Sequence, residues 1–66
     1  MIVFVNDKEI SLFRGSRAGN AVLRYYTQMG KKKEIENLQI TDAWGNVIAE
    51  DSPLSEGCKM YVKEKA

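Results

Sequence analysis

Residues 2–13 read IVFVNDKEISLF, and the way this stretch divides decides the fold. Ile2–Val5 is an unbroken run of β-branched and aromatic residues, the composition of a strand that is covered on both sides or placed centrally in a sheet. Asn6–Lys8 supplies an Asn and an Asp suited to a tight turn. Glu9–Phe13 then alternates, with Ile10 and Leu12 on one side and Ser11 on the other. Two strands joined this closely form an opening hairpin.

Working outward, Arg14-Gly15-Ser16 breaks the hairpin, and Ser16 is predicted to cap a helix by accepting a backbone N–H. Ala18, Val22, Tyr25, Tyr26 and Met29 follow at spacings that share one side of a helix turning about 100° per residue. Asn20, Arg24, Thr27 and Gln28 fall on the other side. Gly19 is expected to weaken the first turn by about 1 kcal/mol relative to alanine. Gly30 suits a left-handed C-terminal cap, and Lys31–Lys33 complement the negative end of the helix dipole.

Beyond a solvated connection, Leu38–Thr41 reads as a short strand, Trp44-Gly45-Asn46 as a turn and Val47–Glu50 as the returning strand. Pro53 and Gly57 bracket a lone apolar anchor, Leu54. Residues 58–65 alternate again, with Met60 and Val62 inward and Lys59, Tyr61 and Lys63 outward. One helix covers only one face of a sheet, so each strand should be apolar on one side alone. For the helix to close over them, the opening hairpin and the last strand must be neighbours. The expected architecture is α+β, a single domain over residues 1–66 with a ββαβββ order and a mixed sheet packed on one helix; a β-grasp is the economical solution.

Composition narrows the chemistry. Apolar residues at 44% and charged residues at 29% are ordinary for a globular domain. A chain this short buries only roughly 60% of the surface that its unfolded form exposes, so its stability margin is thin. There is no histidine, which removes the commonest acid–base group and metal ligand, and Cys58 is the only cysteine. No internal disulfide can form, and no cofactor is expected. The apolar start, Met1–Val5, is too short for a signal peptide or a membrane span, so a cytoplasmic protein without membrane contact is expected. Net charge is +1, but most cations lie before residue 34 and most acids after it. That asymmetry cancels wherever the two halves interleave in space.

These motifs resemble the ubiquitin-like β-grasp superfamily, and most of all the branch of the thiamin-pathway sulfur carrier, the molybdopterin synthase small subunit and the TGS domain. The opening strand–turn–strand with its Gly15-Ser16 helix entry is similar to that branch. So is the run Gly45-Asn46-Val47-Ile48, then Asp51, Leu54, Gly57 and Tyr61-Val62. Cys58 stands where the branch usually has Asp. Carriers of this kind use a C-terminal Gly-Gly, whereas this sequence closes on Lys65-Ala66, so the resemblance implies the scaffold without conjugation or sulfur carriage. The ferredoxin variant of the fold needs four cysteine ligands and is excluded by one.

The single residues have ordinary explanations first. Cys58 is expected to be part-buried at the entry to the last strand, and Lys59 points to the opposite face, away from activating it. Asp42, Glu50, Asp51 and Glu56 sit in turn segments where acids are usual. Tyr25 and Tyr26 are expected in the core and at its rim. Two features are less ordinary. With Val3 and Val5 facing the helix, Ile2 and Phe4 project from the outer sheet face, and Tyr61 joins them from the adjacent strand. Trp44, in a turn, either folds over the core edge or anchors a partner.

Three functions are compatible with these features. The first is a non-enzymatic module that binds a protein partner, or a second copy of itself, through Ile2, Phe4, Trp44 and Tyr61. The second is a degenerate sulfur-carrier relative that binds an adenylating or sulfur-transferring enzyme. The third is a TGS-like RNA-contacting module resting on Arg14, Arg17, Arg24, Lys31, Lys32 and Lys33. On the first, Phe4→Ser is expected to abolish association while circular dichroism shows an intact fold; an unfolded variant would assign Phe4 to the core.

Overall fold

The computed structural model describes residues 1–65; Ala66, the terminal residue in the reading of the carrier tail, lies outside them. Among the described residues the architecture is α+β, a five-stranded mixed sheet with one α-helix, compatible with a β-grasp. Strand β1 (Ile2–Val5) turns into β2 (Lys8–Ser11), and helix α1 (Ala18–Gln28) follows. A single 3₁₀ turn (Ile35–Asn37) then leads to β3 (Leu38–Asp42), β4 (Val47–Ile48) and β5 (Lys59–Glu64). The spatial order is β2-β1-β5-β3-β4, with β5 parallel to β1 and antiparallel to β3. No helix among the described residues is long and apolar enough to cross a membrane.

The β1–β2 turn is tighter than Asn6–Lys8. Val5 is already paired with Lys8, so Asn6 and Asp7 alone make the loop, at φ +51° and +67°. Positive φ at both positions is the conformation that matches the twist of a two-residue hairpin, and Asn and Asp tolerate it best among residues with a Cβ. Strand β2 also ends sooner than expected, at Ser11, and Phe13 leaves the sheet for solvent.

Val3, Val5, Ile10, Ala18, Ala21, Val22, Tyr26, Leu38, Ile40, Met60 and Val62 form the core between the helix and one face of the sheet. Full burial of a side chain such as Val3 or Ile10 contributes about 1.5–3 kcal/mol. Tyr25 and Tyr26 meet edge to face with ring centroids 5.1 Å apart. Met29, expected on the buried side, is exposed and forms the helix C-cap. There the chain ends in a Schellman motif: Gly30, at φ +72°, donates to the Thr27 carbonyl, and Lys31 donates to that of Tyr26.

The helix start differs from the expectation of a Ser16 cap. Arg17 is the N-cap, its own N–H bonded to Asn20 Oδ1 at 2.8 Å. The free N–H groups of the first turn go to the β4–β5 loop, Ala18 to the Ser52 carbonyl (3.0 Å) and Gly19 to that of Glu50 (2.7 Å). This contact explains Gly19 in place of a better helix former. A Cβ there would lie 3.1 Å from the Glu50 oxygen and 3.2 Å from its Cβ. Close approach of loop to helix is what the glycine permits.

Asn6 ties the two central strands together. Its N–H donates to the Met60 carbonyl, its Oδ1 accepts from Val62 N–H at 3.0 Å, and its Nδ2 donates to the Val62 carbonyl at 3.3 Å and to the Tyr25 hydroxyl at 3.2 Å. Asn6→Ala removes the side-chain bonds and leaves a Cβ residue at positive φ. It is expected to cost about 2–3 kcal/mol in urea denaturation. Asn6→Gly, which tolerates the backbone, should fall between it and the parent. An unchanged midpoint for the alanine variant would show that the amide does not hold β1 to β5.

Candidate functional site: the outer sheet face

The helix covers one face of the sheet, and the opposite face is built by the alternate residues of each strand. Register places Glu9, Phe4 and Lys59 in one row across β2, β1 and β5. Val47, Thr41 and Tyr61 form the neighbouring row across β4, β3 and β5, and Gln39 stands opposite Lys63. Phe4 is half-buried, Tyr61 is 36% exposed and Val47 is 64% exposed. Ile2 is half-buried, with its N–H bonded to Glu56 Oε2 at 2.8 Å and its carbonyl to Gly57 N–H at 2.7 Å. Tyr61 reaches the β1–β2 turn, its hydroxyl donating to Asp7 Oδ1 at 3.2 Å; the negative charge of Asp7 raises the hydroxyl's pKa above its ordinary 10.0.

Trp44 does not fold over the core edge; 85% of it is exposed, on the β3–β4 hairpin. Asp42 builds that hairpin. Its Oδ1 accepts the N–H groups of Trp44 and Asn46, each at 2.9 Å, and its Oδ2 accepts from Asn46 Nδ2 at 3.3 Å. These bonds, that from the Asn46 N–H first, hold the carboxyl below its ordinary 3.8. Asp42 is thereby a turn builder, and two of the other turn acids also have structural duties: Glu56 on the Ile2 N–H, Glu50 through its backbone on the helix. A groove of about 550 Å³, lined by Asp42, Trp44, Gly57, Cys58 and Lys59 among others, connects the hairpin to the row of Phe4. Lys59 thus links the three aromatics: it stands opposite Phe4 in register, precedes Tyr61 by two residues on β5 and lines the same groove as Trp44, while Ile2 precedes Phe4 by two residues on β1.

Val47 is the member of this surface that sequence reading missed, because its position in a short returning strand gives no register until β3 is in place. Cys58 is free and half-buried.

The six basic residues do not form one surface. Arg14 and Arg24 line a groove of about 390 Å³ beside Phe13. Arg17 lines a different one with Glu50 and Asp51. Lys31, Lys32 and Lys33 follow the far end of α1, where Lys33 pairs with Glu64; the pair raises the lysine and lowers the carboxyl.

No family model matches the chain. Inosose dehydratase 2 of Bacillus cereus is 28% identical over 61 residues, 92% of this chain and 20% of that protein. An inosose dehydratase of Bacillus thuringiensis matches at the same 28% over 61 residues, again 92% and 20%. The chain spans about a fifth of the length of these curated relatives.

The depressed Asp42 pKa carries a pH signature. Its contribution to the hairpin is complete above the ordinary carboxyl value of 3.8 and is lost as pH falls below that through the folded value. Trp44, the single tryptophan, reports it: its emission should titrate below pH 3.8, and Asp42→Asn should remove the transition. An identical titration in the variant would assign it to another group.

Proposed function

We propose that this chain is a ubiquitin-like β-grasp module of ββαβββ order that binds a protein partner through its outer sheet face and performs no catalysis. The observation that carries the reading is the linkage of Phe4, Tyr61 and Trp44 through Lys59, by register, by strand position and by a shared groove, extended by Val47 in the row of Tyr61. An indole 85% exposed and a valine 64% exposed contribute little to the core of a chain this small. Aromatic anchors beside a groove are, however, the side chains that dominate protein–protein binding.

The order of elements and the parallel pairing of β1 with β5 support the β-grasp assignment. A non-catalytic role is supported by the sequence, which has no histidine and one cysteine, and by the use of the Asp42 carboxylate in its own turn. The module is proposed to be cytoplasmic, in keeping with a free Cys58, and to use no cofactor. The likeness to inosose dehydratases covers about a fifth of those enzymes at 28% identity, and dehydratase activity is not carried over on that ground.

Phe4 is half-buried, so replacing it disturbs packing as well as the surface. Trp44→Ser combined with Tyr61→Ala is the cleaner probe. Affinity capture from the native cell should return a stoichiometric partner with the parent chain and roughly tenfold less with the double variant, which stays folded. Equal recovery of the same protein by both chains would remove the outer face from its binding, and absence of any partner above background would remove the function.

A further inference from the structure

We propose that the groove between the β2–α1 loop and the exposed side of α1 binds a nucleotide unit, with Phe13 stacked on the base and Arg14 and Arg24 on the phosphate. The site shares no residue with the outer sheet face and stands independently of that reading.

Phe13 is 85% exposed, two residues beyond the end of β2, and belongs to no part of the core. Its ring, Arg14 and Arg24 line one groove of about 390 Å³ together with Leu12, Gly15, Ser16 and Asn20. That volume falls within the roughly 300–1,000 Å³ of small-ligand sites. Neither arginine is in an ion pair among the described residues, where the single pair is Lys33–Glu64. No carboxylate lines the groove. The Asn20 oxygen already accepts the Arg17 N–H at 2.8 Å, which leaves its amide N–H groups to donate. The groove therefore offers guanidinium, amide and hydroxyl donors around an uncovered aromatic face, and it selects a ligand that is planar and rich in acceptors.

An acidic peptide satisfies the charge but brings no planar ring for the exposed face of Phe13. A nucleotide satisfies both: its base has a π-face and acceptor edges, and its phosphate takes the paired N–H groups of arginine. The helix start does not compete for the anion. The Ala18 and Gly19 N–H groups are already bonded to Ser52 and Glu50, which leaves the two guanidinium groups as the cationic donors for the phosphate. A free mononucleotide and one nucleotide of a single strand present the same chemistry, and the test separates them.

The full chain, labelled with nitrogen-15, is titrated at low salt with adenosine monophosphate, inorganic phosphate, a short oligouridylate and oligoglutamate. Saturable shifts confined to residues 12–16, Asn20 and Arg24 are expected with the nucleotides, and binding of phosphate alone should be roughly tenfold weaker. Phe13→Ser, which leaves the core untouched, should reduce the affinity for adenosine monophosphate to that for phosphate. Arg14→Gln with Arg24→Gln should abolish both. Tighter oligouridylate binding with a steep salt dependence assigns the site to a strand, and equal affinity assigns it to the free nucleotide. The proposal is overturned if the nucleotides give no localised shifts, if Phe13→Ser binds them as the parent does, or if oligoglutamate binds more tightly than either.

Discussion

Asn6 is the residue on which the sheet depends. Strand β1 lies beside β5 for only a short distance before the chain must turn away into the hairpin. At that point the amide of Asn6 takes over, accepting from the Val62 N–H and donating to the Val62 carbonyl as a further strand residue would. The same amide reaches the Tyr25 hydroxyl, so one side chain joins the first strand, the last strand and the helix. A parallel pair between strands so far apart in the chain is costly to form, because its closing loop is nearly the whole sequence. Local reinforcement beside that pair is the physical answer to the cost.

Much of this architecture is legible in the sequence because alternation and helical spacing are local. Val3, Val5, Met60 and Val62 announce one face, and Ala18, Val22 and Tyr26 announce the helix that covers it. What stays hidden is what depends on distant backbone. Asn6 reads as a turn residue, and nothing nearby reveals that its amide finishes a ladder with residue 62. Ser16 reads as the natural cap, yet loop carbonyls from residues 50 and 52 do that work, and Gly19 reads as a weakness when it is a clearance. Met29 has the right spacing for the core but lies where the Schellman turn has already lifted the chain from the sheet.

The surface features follow the same division. Outward projection of Phe4 and Tyr61 is a consequence of period two and is readable in advance. The run of cations at residues 14–33 reads as one basic tract, but folding distributes it to three places: beside Phe13, beside Glu50 and Asp51, and at the far end of α1. One of those lysines is then neutralised by Glu64 from β5. Charge in sequence is thereby a poor guide to charge in space for a chain whose halves interleave.

The seating of the helix on residues 50–52 has a consequence for how this chain can vary. The two connections after β3 look alike in polarity, but they carry different burdens. The hydrogen bonds of the Trp44 turn run back to its own Asp42, and extra residues at its tip would leave the seat of the helix undisturbed. The segment from Glu50 to Ser52 is a bearing for the helix, held by two main-chain bonds at fixed spacing. Inserting or deleting even one residue there would shift both carbonyls out of phase with their donors and lift the helix from its seat, so new length in this scaffold can be accommodated at the first connection and not at the second.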